Sequence, residues 1–379
     1  MRRADRLFYR ILCTASATVA LIAPLASPEP TLALPPPTPI LPSNLDITHA
    51  AEAKLIATVE ANSQVKVKIY RHKVAATKNQ QEAWTYVTEG LAPLGQEEIV
   101  LTVLKRANDD DQDYPQLPIK LFDSISQLAR QHKTVSAGGY TEFRTSGFLG
   151  IQFKGLLYAP VPTMLGVPLP SKCVAMVPIT AEEMDVYQTA GASRLMARLG
   201  RQADFFPCPT WCDRDRQSAF SDAEIAEMTE DPVFRSAKAQ TYSLTATQQN
   251  QSLSLRLTEK SAALLLELLK ELPEDSALRL ALGVDPRADA LLVWESKANG
   301  NNSIIAPEGS KVKTISVTFL ALLPGLPKNE ILTGNDGCAV MITKDDFARF
   351  RTALMEKSAF SLPMSDDSAL KSLSIDWAI

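Results

Sequence analysis

The sequence is poor in the side chains that shuttle protons near neutral pH. It has three histidines, His49, His72 and His132, in 379 residues, and none stands in a catalytic motif. There is no G-x-S-x-G elbow, no P-loop, no G-x-G-x-x-G turn, no H-E-x-x-H and no C-x-x-C pair. These absences remove the recognisable hydrolase, nucleotide-binding, dinucleotide-binding and metalloprotease classes, each of which depends on residues at fixed spacing. Excess positive charge is missing too. The formal net charge of −4 gives no field that would draw a phosphate backbone, so nucleic acid is not an expected partner.

What is present is ordinary globular material, 45% hydrophobic and 22% charged, enough for two cores of typical domain size. Arg2, Arg3, Arg6 and Arg10 precede an uncharged, apolar stretch at 11–26, the layout of a secretory leader. Pro24 interrupts that stretch, and it is short for a span of about 20 residues, so residues 1–27 read as a signal peptide or, alternatively, a membrane anchor. A periplasmic or secreted location is therefore expected, with membrane contact only through an uncleaved leader. Seven prolines within 28–49 forbid regular helix and mark a tether.

Beyond the leader the cysteines are Cys173, Cys208, Cys212 and Cys338. In an oxidising compartment they permit disulfides, Cys208 with Cys212 among the options, although spacing alone assigns no pair. A zinc site is disfavoured, because Cys208-Pro-Thr-Trp-Cys212 has no second pair to complete four ligands. The acidic loop Asp109, Asp110, Asp111, Asp113 lacks the glycine and terminal glutamate of a calcium loop. No cofactor and no metal is expected.

The folded body reads as α+β: two mixed lobes, each a sheet flanked by helices, over 50–205 and 245–379, with a connector at 206–244. Val65, Val67 and Ile69 alternate with Lys66, Lys68 and Tyr70, a strand signature, and a helix near 119–132 places Leu121, Ile125 and Leu128 on one face. Thr180 with Glu183, and Thr343 with Asp346, are capping boxes that open helices. A strand is expected over 315–323, a turn at 299–302 and an edge strand at 375–377. The runs 153–158 and 176–180 echo 319–324 and 340–343, which suggests two copies of one unit. Trp84, Trp294 and Trp377 are expected core anchors. Trp211, Asp213, Arg214, Asp215 and Arg216 form a candidate recognition patch, because Trp and Arg are enriched where binding energy concentrates.

Several segments carry a family resemblance. Val87-Thr-Glu-Gly-Leu91 with Gly95-Gln-Glu-Glu-Ile-Val100, then 147–150, Leu195-Met-Ala-Arg-Leu-Gly200, Phe206-Pro-Cys-Pro209 and Ile375-Asp-Trp377, occur in the order found in the C-terminal domain of the Smad anchor for receptor activation and endofin. The stretch from Trp84 to Arg106 also resembles Suppressor of fused domains. The resemblance implies a non-catalytic protein-interaction domain with a protein partner, or an immunity-type inhibitor of a toxin, as in bacterial relatives of Suppressor of fused. An unrecognised hydrolase is the third reading. The chain has an export-like leader and no FYVE finger, so endosomal and Smad roles do not carry over.

Overall fold

This computed structural model describes residues 38–39, 53–76, 79–109, 114–143, 147–149, 152–161, 166–230, 237–270, 272, 276–285, 287–296, 304–307, 309–334 and 336–378. The leader, most of the proline-rich tether, Asp110, Asp111, Asp113 and the expected turn at 299–302 lie outside the described residues. The chain divides into two compact units, one of residues 42–185 and 202–221, the other of 1–41, 186–201 and 222–379. The stretch expected as a connector, 206–244, is thus shared out between the units, and α-helical residues 186–201 go with the C-terminal one.

After the two-residue strand β1 (Thr38–Pro39) come β2 (Lys54–Glu60), β3 (Lys66–Ala76), β4 (Asn79–Glu89), β5 (Glu98–Leu104), α1 (Leu117–Arg130), β6 (Tyr140–Glu142), β7 (Phe153–Pro160) and β8 (Cys173–Thr180). Helices α2 (Ala181–Ala190) and α3 (Ala192–Gln202), strand β9 (Trp211–Cys212) and helix α4 (Asp222–Glu230) follow. The remainder is β10 (Ala237–Gln249), β11 (Ser252–Leu257), α5 (Glu259–Lys270), β12 (Leu278–Gly283), β13 (Ala290–Leu292), β14 (Ile304–Ala306), β15 (Thr314–Val317), β16 (Phe319–Pro324), β17 (Glu330–Thr333), β18 (Gly337–Ile342), α6 (Lys344–Glu356), β19 (Phe360–Pro363) and β20 (Ser372–Trp377). Mixed sheets with few helices make the fold α+β.

In the N-terminal unit the sheet runs β2-β3-β4-β5-β8-β7-β6, with β9 also on β5. Val67 and Ile69 of β3, Trp84 and Tyr86 of β4, and Ile99, Leu101 and Val103 of β5 share one fully buried face with Phe122 and Ile125 of α1. The helix is rotated from the expectation. Its buried residues are Pro118, Phe122, Ile125, Ser126 and Ala129, whereas Leu128 is exposed. The larger Phe122 fills the core, and the i, i+3, i+4, i+7 row that contains it turns Leu128 outward. Tyr70, expected on the polar side of β3, is buried with Val87 and Val100, so the sheet is covered on both faces there.

In the C-terminal unit the sheet order is β1-β14-β13-β15-β10-β12-β16-β18-β17, and β11, β20 and β19 extend from β10. Three expectations change. The strand expected over 315–323 is two strands, because the backbone N–H groups of Thr318 and Phe319 both donate to the Asp336 carbonyl (2.8 and 3.1 Å). Strand β15 pairs with β10 and β13, and β16 with β12 and β18. The expected edge strand at 375–377 is the end of a longer strand, β20, which pairs with β11 throughout and is covered by β19 on its other side up to Ile375, leaving Asp376 and Trp377 paired with β11 alone. The internal echo is local only: β7 is antiparallel to β8, but β16 is parallel to β18, whose antiparallel neighbour is β17.

Candidate functional site

The segment expected to form a recognition patch is drawn into the interior of the N-terminal unit. Strand β9 pairs in parallel with β5, Thr102 opposite Trp211 and Val103 opposite Cys212. That pairing buries Trp211, whose ring meets Phe205 edge-on at 4.5 Å. Arg214 is buried, donates to the Leu104 carbonyl (3.3 Å) and to the Asp109 carboxylate, and lies over the Trp84 ring. Arg216 makes a two-armed ion pair with Glu183 (2.5 and 2.7 Å), donates to the Pro178 carbonyl (2.7 Å) and lies over Phe153. Only Asp213 and Asp215 are exposed, and Asp215 accepts from Arg106 Nε at 2.9 Å. Trp and Arg here hold the fold together, so the expectation of an open Trp211 to Arg216 grip is corrected: three of its five side chains are occupied inside.

Cys208 and Cys212 are free thiols in this structure, both buried. Burial pushes each up to about 12, and the nearby Arg216 offsets only part of that. A thiol so rarely ionised is a poor nucleophile. Trp84 and Trp294 are buried as expected, and Trp377, partly buried, donates from Nε1 to the Ser358 carbonyl (2.9 Å).

Two constellations escaped the sequence reading. In the first, Glu98 Oε1 accepts from three successive backbone N–H groups, Gly90, Leu91 and Ala92 (3.0, 2.9 and 3.1 Å), while Oε2 accepts from Thr88 Oγ1 (2.7 Å). Gly90 has φ +111°, and a Cβ there would stand 2.2 Å from the Gln64 carbonyl oxygen. The segment Val87-Thr-Glu-Gly-Leu91 is therefore a buried carboxylate nest, legible only as a glycine followed eight residues later by a glutamate. The second is a row of arginines on α3. Arg194 forms a buried pair with Asp336 (Nη2 to Oδ1 2.9 Å) and lies over the Phe319 ring at 4.5 Å. Arg198 donates to Glu295 and Glu224 (both 2.6 Å), and Arg201 Nε stands 3.5 Å from Glu295. Positions 194, 198 and 201 share one helix face. Burial still raises the Glu295 carboxyl above its ordinary value, although Arg198 and Arg201 pull it down.

These arginines stand inside the part of the chain that decides its kinship. Residues 179–378, just over half of the chain, match the family model for Smad anchor for receptor activation-like, C-terminal. The chain belongs to this family. It is 24% identical over 331 residues to human zinc finger FYVE domain-containing protein 9, covering 81% of this chain and 22% of that protein. The chain thus spans about a fifth of the length of the curated relative it matches. Among solved structures it is similar to Drosophila Suppressor of fused, at 12% identity and TM-score 0.35 over 82% of this chain and 89% of that one. It is also similar to the Sufu–Fu complex, at 15% identity and TM-score 0.33, with 43% and 81% covered.

The Smad anchor-like region also contains a groove between α6 and β19. Its volume is about 350 Å³, and it is lined by Ala348, Arg349 and Thr352 of the helix, by Ala359 just before the strand and by Phe360 and Ser361 of the strand. Arg349 is its one charged lining residue, 63% exposed at the side chain and 2.6 Å from Asp346.

Proposed function

We propose that this Smad anchor-like chain is an exported, non-catalytic protein-interaction module that holds a protein partner against its folded body. Membership of the family over residues 179–378 carries the reading. The chemistry of the described side chains is in keeping with it. The cysteines at 208, 212 and 338 are buried and pushed up to about 12, and His72 is buried and pushed down to about 4 by loss of solvent. Arg194, Arg198, Arg214 and Arg216 are taken up in internal ion pairs. Export rests on the four arginines and the apolar stretch that follow the start of the sequence.

Affinity capture from the source organism, followed by titration of the purified chain against each captured protein, tests the module. One partner binding with fixed stoichiometry is the expected result. Absence of any reconstituted complex, or a purified chain that turns over a substrate, would overturn it. Mass spectrometry of the mature N-terminus, with fractionation, tests export: a chain recovered intact in the cytoplasm would reject that part.

A further inference from the structure

The two outer strands near the C-terminus of the chain are treated differently. Strand β17 is closed on its open side by the loop at 364–371. Ser368 Oγ accepts from Ile331 N–H (2.8 Å) and donates back to the Ile331 carbonyl (3.2 Å), and Ala369 N–H donates to the same carbonyl (3.0 Å). Among the described residues, strand β19 has a partner on one side only, β20. Met364 N–H donates to the Lys371 carbonyl (2.9 Å), which fixes the phase of that ladder. Bonded residues alternate in an antiparallel pair, so Phe360 and Leu362 point their backbone groups at β20, while Ser361 points its N–H and C=O away. Pro363 in the same phase supplies a carbonyl and no donor. The outward edge therefore offers one full donor and acceptor set, at Ser361, and the groove beside α6 reaches the strand there, at Phe360 and Ser361.

Its lining sets what could lie there. Ala348, Thr352, Ala359 and Ser361 are small and exposed, which leaves width for a backbone. Arg349 is the one charge, and its present partner can release it. Asp346 Oδ2 keeps Asn329 Nδ2 (2.7 Å) and Thr343 Oγ1 (3.0 Å) when Arg349 leaves Oδ1, and an exposed ion pair exchanges at little cost.

We infer that the β19 edge and the α6 groove bind an extended acidic segment of a partner protein, which adds as a strand through Ser361 and places a carboxylate on Arg349. This rests on the reading of the chain as a protein-interaction module and names the surface and the ligand class.

A phage-displayed library of linear peptides, selected on the full chain, tests it. Enriched peptides should share an Asp or Glu, and their binding should weaken by about tenfold, the equivalent of one net hydrogen bond, in Ser361→Pro and in Arg349→Glu. Ser361→Ala should bind as the parent does, because the backbone N–H remains. Thermal melts check that Ser361→Pro folds. If it does not, the best peptide N-methylated along its backbone replaces it and should lose binding likewise. Peptides that bind both variants unchanged, or that are enriched without acidic residues, overturn the inference. So does a library that yields no binder to a chain that still holds a captured protein, an outcome that leaves the module reading standing. A chain that binds acidic peptides at this edge but no whole protein would sink the module reading instead.

Discussion

Helices α2 and α6 open with the same local grammar and end in opposite circumstances. Each begins with a threonine whose hydroxyl accepts from the N–H three residues on, at 3.3 Å in both. In α2 the partner acid is Glu183, fully buried, and it reaches back to the Thr180 N–H (3.0 Å) while accepting from Ala219 N–H (2.9 Å) and Arg216. In α6 it is the shorter Asp346, and the Thr343 N–H donates to Asn329 Oδ1 (2.9 Å). One methylene separates an acid that closes the box from one that leaves the job to a neighbour. The larger difference is tertiary. Glu183 is a hub on which a distant loop is fastened, and Asp346 stays at the surface beside an exposed arginine.

The strongest way to break this contrast is to remove the hub. Glu183→Ala leaves Arg216 as an uncompensated buried charge and strands the Ala219 and Thr180 amides, which costs about 3–5 kcal/mol. Urea denaturation should show that loss, with Arg216→Ala close behind, whereas Asp346→Ala should lose about 1 kcal/mol. Equal losses at Glu183 and Asp346 would mean that burial does not separate the two caps.

Acid separates the two regions next. His72 in the N-terminal unit is buried, with Nε2 2.6 Å from Thr85 Oγ1, and burial lowers it from 6.5 to about 4. As pH falls below 6.5 the unfolded chain takes up that proton first, so stability declines down to about pH 4, where the folded form is protonated too. The loss is on the order of 2–3 kcal/mol over that window. Asp346 shifts stability in the same direction but in a lower window. Hydrogen bonds from Asn329, Thr343 and Arg349 hold its carboxyl below the ordinary value of 3.8, so its contribution is intact above that pH and lost only below it. Hydrogen exchange of the β3 to β5 amides between pH 7 and 4 should rise before that of α6, and His72→Gln should flatten the early rise.

How much of this was readable from the chain follows the distance over which each feature is set. The buried positions Val67 and Ile69 of β3 and the two threonine caps depend on neighbours within a few residues and stand as read, whereas the burial of Tyr70 and the handing of the Thr343 N–H to Asn329 are set from further off. Arg214 and Arg216 do not stand as read, because their partners lie 105 and 33 residues away, and Trp with Arg has the same composition in a binding patch as in a buried clamp. Arg194 is further still from Asp336, 142 residues along the chain. The break at Thr318 and the covering of β20 by β19 are likewise pairing decisions, made by strands that one segment cannot specify alone. Glu98 lies between: it belongs to the family-like run Gly95 to Val100, but its amide nest depends on the turn at Gly90.

Smaller effects sharpen the comparison at the surface cap. Thr343→Ala removes the hydroxyl that accepts from Asp346 N–H and should lower stability by about 1 kcal/mol, read as a small shift in the urea midpoint. A loss as large as that of Glu183→Ala would place α6 in the same buried class as α2.

The smallest expected effect is at Arg349. Its guanidinium is 63% exposed and its pair with Asp346 spans three residues on one helix, so solvent screening leaves Arg349→Ala with a change of less than about 0.5 kcal/mol. Arg216 makes the same kind of contact to a carboxylate, with a side chain 15% exposed and a partner fully enclosed, and its removal should cost several times more. Measured together in urea, the two arginines isolate burial from chemistry, since both lose one guanidinium and free one carboxylate. Near-silence at Arg349 is also what a side chain free to change partners requires: an arginine that the fold needed could not be lent to an incoming acid.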